Sequence, residues 1–397
     1  MENDMKDSAI AFCKRLGVEF KSELVPYYER GVCKKRELGL SIFEKERLIR
    51  LNEEYNFFKH GLGPVLDARE SIIANEDIVL FNYIMIEMIK DGIKTAPILK
   101  TPEGVSPETD FSNVYAVLYF VEEGIEILKK RGLPHEIISD SLSGIESEML
   151  AYHDMHGRYG TRDYQDWYLY FIRGEIIRIG RLQYQFADLG SPIRVFERDG
   201  DVVVMMDKVD MHKKGMIFGS VGQTDEEGRY YAEVKVDGER ITGYMANKYG
   251  EVDPVPVTIE GYSEPIKKGD RVVSIHITNG EPFGFDSVKE SIDRAELILK
   301  EYYSDMNIKG IFGYSWVFEK RLRDIMQRDT NLTRLADYFT CYPTRSGVHG
   351  VFEYVFAMPE NTPYEDLPED TSMQRGIKKY LLDGNIFYEK AAIRLIK

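Results

Sequence analysis

The chemistry available to this chain lies in a few polar residues set into apolar runs. His276 falls within RVVSIHIT (271–278), and Tyr314 and Ser315 close a second short run at YSW (314–316). An imidazole that titrates near neutrality can act as a general base. On a strand it can equally do no more than satisfy a sheet hydrogen bond. The hydroxyls of Tyr314 and Ser315 could donate a proton. Ser315 could instead cap a helix while Trp316 packs as core. Arg178 and Arg181 flank Gly180. They could hold a phosphate or carboxylate, or form ordinary strand-edge salt bridges.

Other groupings are less specific. His153, Asp154 and His156, with Asp163 nearby, offer donors of the zinc or iron type. Two histidines three apart, with no third ligand at a dependable spacing, do not define a metal site, and no metal is expected. They read as a polar helix end, together with Arg158, Tyr159 and Arg162. The aromatic group Tyr159, Tyr164, Trp167, Tyr168, Tyr170 and Phe171 could stack on sugar rings or line an acceptor cleft. At helical spacing it could also form core between two domains. His212, Lys213 and Lys214 read as a solvated turn. The chain has no phosphate loop ending in Gly-Lys-Ser/Thr, no dinucleotide fingerprint after a strand and no Gly-x-Ser-x-Gly elbow.

The elements that hold these residues belong to a globular chain. At 397 residues, 43% hydrophobic and 30% charged, it is long enough for two cores. A formal charge of -15 argues against nucleic acid as a partner. Cys13, Cys33 and Cys341 are odd in number and far apart, which fits a reducing cytoplasm and neither a disulfide framework nor a zinc pattern. No apolar run nears the roughly 18 to 20 residues of a membrane span, and the first residues lack a basic-then-apolar signal. The expectation is a cytoplasmic protein with a small-molecule partner and no membrane; nothing here opposes a homodimer.

Apolar spacing of three and four predicts helices over residues 40–58, 72–89, 113–130 and 134–152. A helical N-terminal domain over 1–158 follows, with the junction in HGRYGTRDYQD (156–166). From residue 176 the period becomes two. Opposite parity on either side of Gly180 predicts one strand with a bulge there. Strands are expected over 202–206 and 230–236, within a β-rich insertion at about 199–262. Beyond it come strand 271–278, helix 287–303 with a Ser287/Glu290 capping box, strand 308–314, helix 317–326, and strands 335–342 and 348–356. The fold class is α+β: a helical domain, then a mixed sheet flanked by helices over 159–397.

HGRYG (156–160), RIGRLQYQ (178–185), SIHITNGEPF (274–283), YSW (314–316) and DTNLTRLADYF (329–339) resemble a bacterial family of acyltransferase-domain proteins. That family pairs a helical N-acyltransferase N-terminal domain with a GNAT-like C-terminal domain. The resemblance implies an N-acyltransferase using acetyl-CoA or a longer acyl-CoA as co-substrate and an amine as acceptor. It implies that the central strand splays from the next, so that acyl-CoA slots into the gap. By that likeness Asn279, Gly280, Phe283 and Gly284 face the pyrophosphate, His276 is the base, and Tyr314 or Ser315 assists the departing thiolate. Arg178, Arg181, Tyr159 and Trp167 would meet the substrate. The chain departs from the GNAT pattern in lacking its glycine signature. Pro282 removes an amide donor, and Glu281 and Asp286 put negative charge where pyrophosphate would sit. These departures suit the alternative, a non-catalytic ligand-binding or assembly protein on the same scaffold.

Overall fold

The computed structural model describes residues 2–102, 104–161, 165–278, 283–327 and 329–396. The chain divides into two compact units, Met1–Gln183 with Ile277–Pro282, and Tyr184–His276 with Phe283–Lys397.

The first unit is helical. Its helices are α1 (Glu2–Leu16), α2 (Val25–Leu38), α3 (Lys45–Tyr55), α4 (Leu62–Ala74), α5 (Glu76–Lys90) and α6 (Pro107–Asp110). They are followed by α7 (Val114–Leu118), α8 (Val121–Lys130), α9 (His135–Leu142), α10 (Gly144–His156) and α11 (Gln165–Ile172). Helix α5 is central: residues 78–86 are buried without interruption, which is why its apolar residues cover every face rather than a stripe. The helix expected over 72–89 is two helices. Asn75 leaves helical geometry and accepts from the amides of Asp77 and Ile78, capping α5. Gly31 of α2 lets the two backbones approach, since a Cβ there would lie 3.0 Å from the Ile84 nitrogen. Buried Asn82 is fully engaged, donating to Ile78 O and Ser112 O and accepting from the Ala116 amide. Glu146 accepts from the amides of Lys59 and Gly61 ahead of α4, where a helix N-terminus favours negative charge.

Strand β1 (Ile176–Ile179) ends this run, and β2 (Leu182–Asp188) follows at once. The single bulged strand expected here is two strands, because Gly180 takes a left-handed φ of 59° and turns the chain.

The second unit joins two sheets. The strands β3 (Ile193–Arg198), β4 (Asp201–Met206), β5 (Val209–His212), β6 (Arg229–Ala232), β7 (Lys235–Asp237), β8 (Arg240–Met245), β9 (Val257–Glu260) and β10 (Ser263–Lys267) build the inserted layer. Its main sheet runs β10-β3-β4-β8-β7, with β9 on β8, and β5 pairs with β6 apart from it. Strands β11 (Arg271–Ile277), β12 (Gly310–Ser315), β13 (Thr340–Pro343) and β14 (Lys390–Leu395) complete the other sheet, in the order β2-β11-β12-β14-β13. Ile193, Val195, Val204 and Met206 of the layer share one core with Val272, Ala391 and Ile393. Helix α12 (Phe285–Tyr302) is tied to the opposite face through the Tyr184 hydroxyl and Ser291 Oγ, 2.9 Å apart. The Ser287/Glu290 capping box does not form. Gly284 is the cap residue, and Ser287 donates to its carbonyl.

Three later expectations are corrected. Residues 335–342 divide into the end of α14 (Asn331–Asp337), which follows α13 (Leu322–Met326), and the short β13. The expected helix over 317–326 is a 3-10 turn, Trp316–Phe318, and then α13. Residues 348–356 are not a strand but helical, α15 (His349–Val351) running into a π-turn, Phe352–Phe356. Val348, Val351, Phe352 and Phe356 are buried with Val355 packed on them, a spacing of three and four. They pack against α16 (Ser372–Leu382) through Ile377 and Leu381.

Candidate active site

The pairing of β11 with β12 stops short. Val272, Val273 and Ser274 are in parallel register with Gly310, Ile311 and Phe312, and the ladder ends there. Strand β12 meanwhile stays paired to β14 through all its residues, Gly310 to Ser315. Beyond Ser274 and Phe312 the facing edges of two adjacent parallel strands therefore do not bond to each other. Unpaired strand edges leave amides and carbonyls available to a guest.

His276 and Tyr314 stand at this opening. Continuing the register in steps of two from Val272/Gly310 puts both on one face of the sheet. It is the face that carries the inserted layer, because Val272 belongs to that core. His276 is half-buried, with Nε2 3.0 Å from Oε1 of Gln185 on β2. An amide oxygen only accepts, so Nε2 carries the proton and Nδ1 the lone pair. Burial pushes the imidazole down to about 4, which leaves it neutral at physiological pH.

Tyr314 donates its hydroxyl hydrogen to Oε2 of Glu389. Glu389 Oε1 accepts from the Gly350 amide at 3.0 Å, and the Glu389 amide donates to Ser346 Oγ at 2.8 Å. A Cβ at Gly350 would lie 2.2 Å from Oε1, so the carboxylate reaches that amide only because the residue is glycine. Burial, reinforced by the Glu389 carboxylate, raises the Tyr314 phenol far above its ordinary value. Tyr314 therefore keeps its proton. Ser315 caps the turn that follows, accepting from the Val317 amide at 3.4 Å.

Among the cofactor residues, Asn279 and Gly280 lie outside the described residues, as do Glu281 and Pro282. The Phe283 carbonyl accepts from Asn331 Nδ2 at 3.0 Å, and Gly284 begins α12. Asp286 is paired with Arg334 at 3.0 Å, and that guanidinium also lies 4.2 Å over the Phe285 ring. The negative charge expected to repel pyrophosphate at Asp286 thus has a cation beside it.

The residues read as substrate-binding belong to the first unit. Arg181 is buried, donating to Oγ1 of Thr278 at 2.7 Å and to its carbonyl at 3.0 Å. It holds the chain just before residue 279. Arg178 donates to the Gly180 carbonyl at 3.0 Å. Tyr159 lies against His153, ring centroids 4.7 Å apart, and Trp167 meets Tyr170 and Phe171 edge-on at 5.9 Å. Asp163 and Tyr164 fall outside the described residues. Among the described residues no cluster of histidine, cysteine and carboxylate is arranged to hold a metal, and no helix is long and apolar enough to cross a membrane. The HKK turn is not simply solvated: His212 is fully buried, with Nε2 2.8 Å from Asp225.

Gln185, Glu389 and Gly350 were missed from sequence. Glu389 is 75 residues from Tyr314, and only the register of an antiparallel pair brings them together.

Residues 47–174 match the model of an N-acyltransferase N-terminal domain, and residues 176–392 that of a GNAT-like C-terminal domain. Comparison with curated proteins finds no match. Among solved structures the chain is similar to an acyltransferase mutant in complex with octanoyl-CoA, at 15% identity and a TM-score of 0.59 over 98% of this chain and 99% of that one. An acyltransferase in complex with decanoyl-CoA and teicoplanin aligns with the same four values, 15%, 0.59, 98% and 99%. One in complex with CoA and 10C-teicoplanin aligns at 15% identity and a TM-score of 0.58, over 98% and 99% of the two chains. At such identity the likeness is one of fold.

Proposed function

Because the chain belongs to the family that joins an N-acyltransferase N-terminal domain to a GNAT-like C-terminal domain, we propose that it transfers an acyl group from a coenzyme A thioester to an amine. The single observation behind this reading is the early end of the β11–β12 ladder at Ser274 and Phe312. A pantetheine arm is itself strand-like, with amides that can bond to two exposed strand edges. Asn279, Gly280, Phe283 and Gly284, with the start of α12, would face the pyrophosphate, where helix amides and dipole favour an anion. Arg334 beside Asp286 removes part of the repulsion that would oppose it.

The amine attacks the thioester carbonyl, a C–N bond forms and the C–S bond breaks. The nitrogen's surplus proton passes to the His276 imidazole. A thiol titrates near about 8.5, so sulfur can leave as thiolate and take its proton from solvent. Arg178, Arg181, Tyr159 and Trp167 are proposed on the acceptor side. The relatives above carry a glycopeptide in their complexes; for this chain the proposal stops at a small molecule bearing a nucleophilic amine. Most of the rate would come from holding donor and acceptor in line.

Titration with octanoyl-CoA and with acetyl-CoA tests the donor. At a hundred times its dissociation constant a ligand stabilises the folded state by about 2.7 kcal/mol, visible as a rise in melting temperature. Stabilisation by at least one of the two is expected. No rise with either would overturn the transferase reading and favour a scaffold without a cofactor site.

A further inference from the structure

The face of the β11–β12 gap that carries His276 also carries a hydroxyl with no task in the fold. Ser274 is the last residue of β11 in register with β12, opposite Phe312. It stands two residues before His276, so both side chains leave the same face of the strand, about 7 Å apart along it. Among the described residues its hydroxyl makes no hydrogen bond. Phe312, across the rung, has no polar side-chain atom and packs on the core shared with the inserted layer. Ser274 is half-buried, and its Oγ is not one of the buried polar atoms that lack a hydrogen bond. A hydroxyl that is neither bonded nor sealed in is one that solvent or a guest reaches.

The other face of the gap is closed. Residues 275 and 313 come next along the two strands, and their side of the sheet is filled. A Cβ at Gly313 would lie 2.6 Å from Phe318 Cε2 and 3.3 Å from Ile275 Cγ1. Phe318 and Ile275 are both buried, and Phe339 backs Phe318 edge-on at 5.5 Å. A thioester that reaches the end of the ladder meets apolar side chains on this face and a free hydroxyl on the other. Its carbonyl oxygen cannot be satisfied by the apolar face.

We propose that Ser274 is a catalytic residue: its Oγ donates a hydrogen bond to the thioester carbonyl oxygen and stabilises the negative charge that collects there. This rests on the acyl-transfer reading and adds a residue to it. The amine lone pair attacks the carbonyl carbon, and the C=O π electrons move onto oxygen, facing Ser274. The oxyanion collapses, C=O reforms and the C–S bond breaks. The surplus amine proton goes to His276, and Ser274 keeps its own. A base and an oxyanion donor about 7 Å apart leave room between them for one tetrahedral carbon, nitrogen towards the base and oxygen towards the donor.

Ser274→Ala and Ser274→Thr test this, with octanoyl-CoA as donor, hexylamine as acceptor probe and amide product read by mass spectrometry. A bond that strengthens only as charge develops moves kcat and leaves substrate binding alone. Ser274→Ala should lower kcat about 100-fold, the lower end of the range for one oxyanion donor, with KM for octanoyl-CoA within about twofold of wild type. Ser274→Thr keeps a hydroxyl and suits a strand, so it should recover at least 10-fold of that loss. Wild-type kcat in Ser274→Ala would overturn the inference and leave the acyl-transfer reading standing. So would a raised KM for octanoyl-CoA with kcat unchanged, which marks a group that only binds the donor. A loss that threonine does not relieve would also overturn it, leaving Ser274 a packing residue. A wild-type protein that forms no amide from any primary amine tried would remove the acyl-transfer reading, and this inference with it.

Discussion

His276→Ala is expected to lower amide formation about 10²- to 10⁴-fold, the usual contribution of a positioned general base, while octanoyl-CoA binds as before. The size follows from where the ring sits. It is beside the end of the β11–β12 ladder, with Nε2 3.0 Å from Gln185 Oε1. Its pH behaviour gives an independent readout. Burial lowers the folded-state value to about 4 from an ordinary 6.5. The His276 limb of kcat/KM should therefore appear near pH 4 and not near 6.5. Stability follows the same sign. Between those two values the unfolded chain takes up a proton that the folded chain refuses. Stability present above pH 6.5 is lost as pH falls towards 4, by roughly 3 kcal/mol at most. Denaturant melts from pH 7 to 4 should show that loss in the wild type and a smaller one in His276→Ala. Turnover unchanged in the variant would remove His276 from the chemistry.

Lys390→Met should destabilise the second unit by about 3–5 kcal/mol, the cost of stripping one partner from a buried ion group. Lys390 sits on β14 opposite Ser315 and Pro343 and is fully buried. Its Nζ lies 3.3 Å from the Gly250 carbonyl and 3.8 Å from both Glu319 Oε2 and Glu251 Oε1. Glu251 has a second cation, with Arg321 at 2.7 and 3.1 Å. Glu319 depends more on the lysine: its Oε2 is buried with no hydrogen-bond partner. Burial pushes Lys390 down and Glu319 up, each opposed by the other's charge. Methionine at 390 leaves that carboxylate without its lysine. Adding Glu319→Gln should restore much of the loss, because a neutral amide costs far less to bury. Urea denaturation of the single and double variants reads both effects. A single variant within about 1 kcal/mol of wild type would contradict the account, since ordinary surface changes stay within such limits.

Much of the fold was legible because hydrophobic period is local. The change from a period of three and four to a period of two near residue 176 marked the passage from helices to sheet, and β11, α12 and β12 lay where their patterns put them. The errors have physical causes. Residues 348–356 alternate loosely enough to pass for a strand, yet Val348, Val351, Phe352, Val355 and Phe356 share a helical stripe. Residues 72–89 read as one helix because apolar spacing runs through them, whereas Asn75 ends α4 and caps α5. The strand Lys390–Leu395 went unread although it holds β12 and β13 together. Without it, no local spacing could place Glu389 beside Tyr314 or Lys390 beside Glu319. His276 and Tyr314 could be singled out from residue type and position on a strand. The direction of the Tyr314 hydrogen bond could not, because it is set by partners on other elements.

The account stands on the unpaired edges of β11 and β12 admitting a pantetheine arm. A crystal structure of the protein with octanoyl-CoA tests this most directly. It should place the arm between Ile275–Ile277 and Gly313–Ser315, with the thioester carbonyl beside the His276 ring. Octanoyl-CoA bound elsewhere, with those two strand edges closed onto each other, would contradict it.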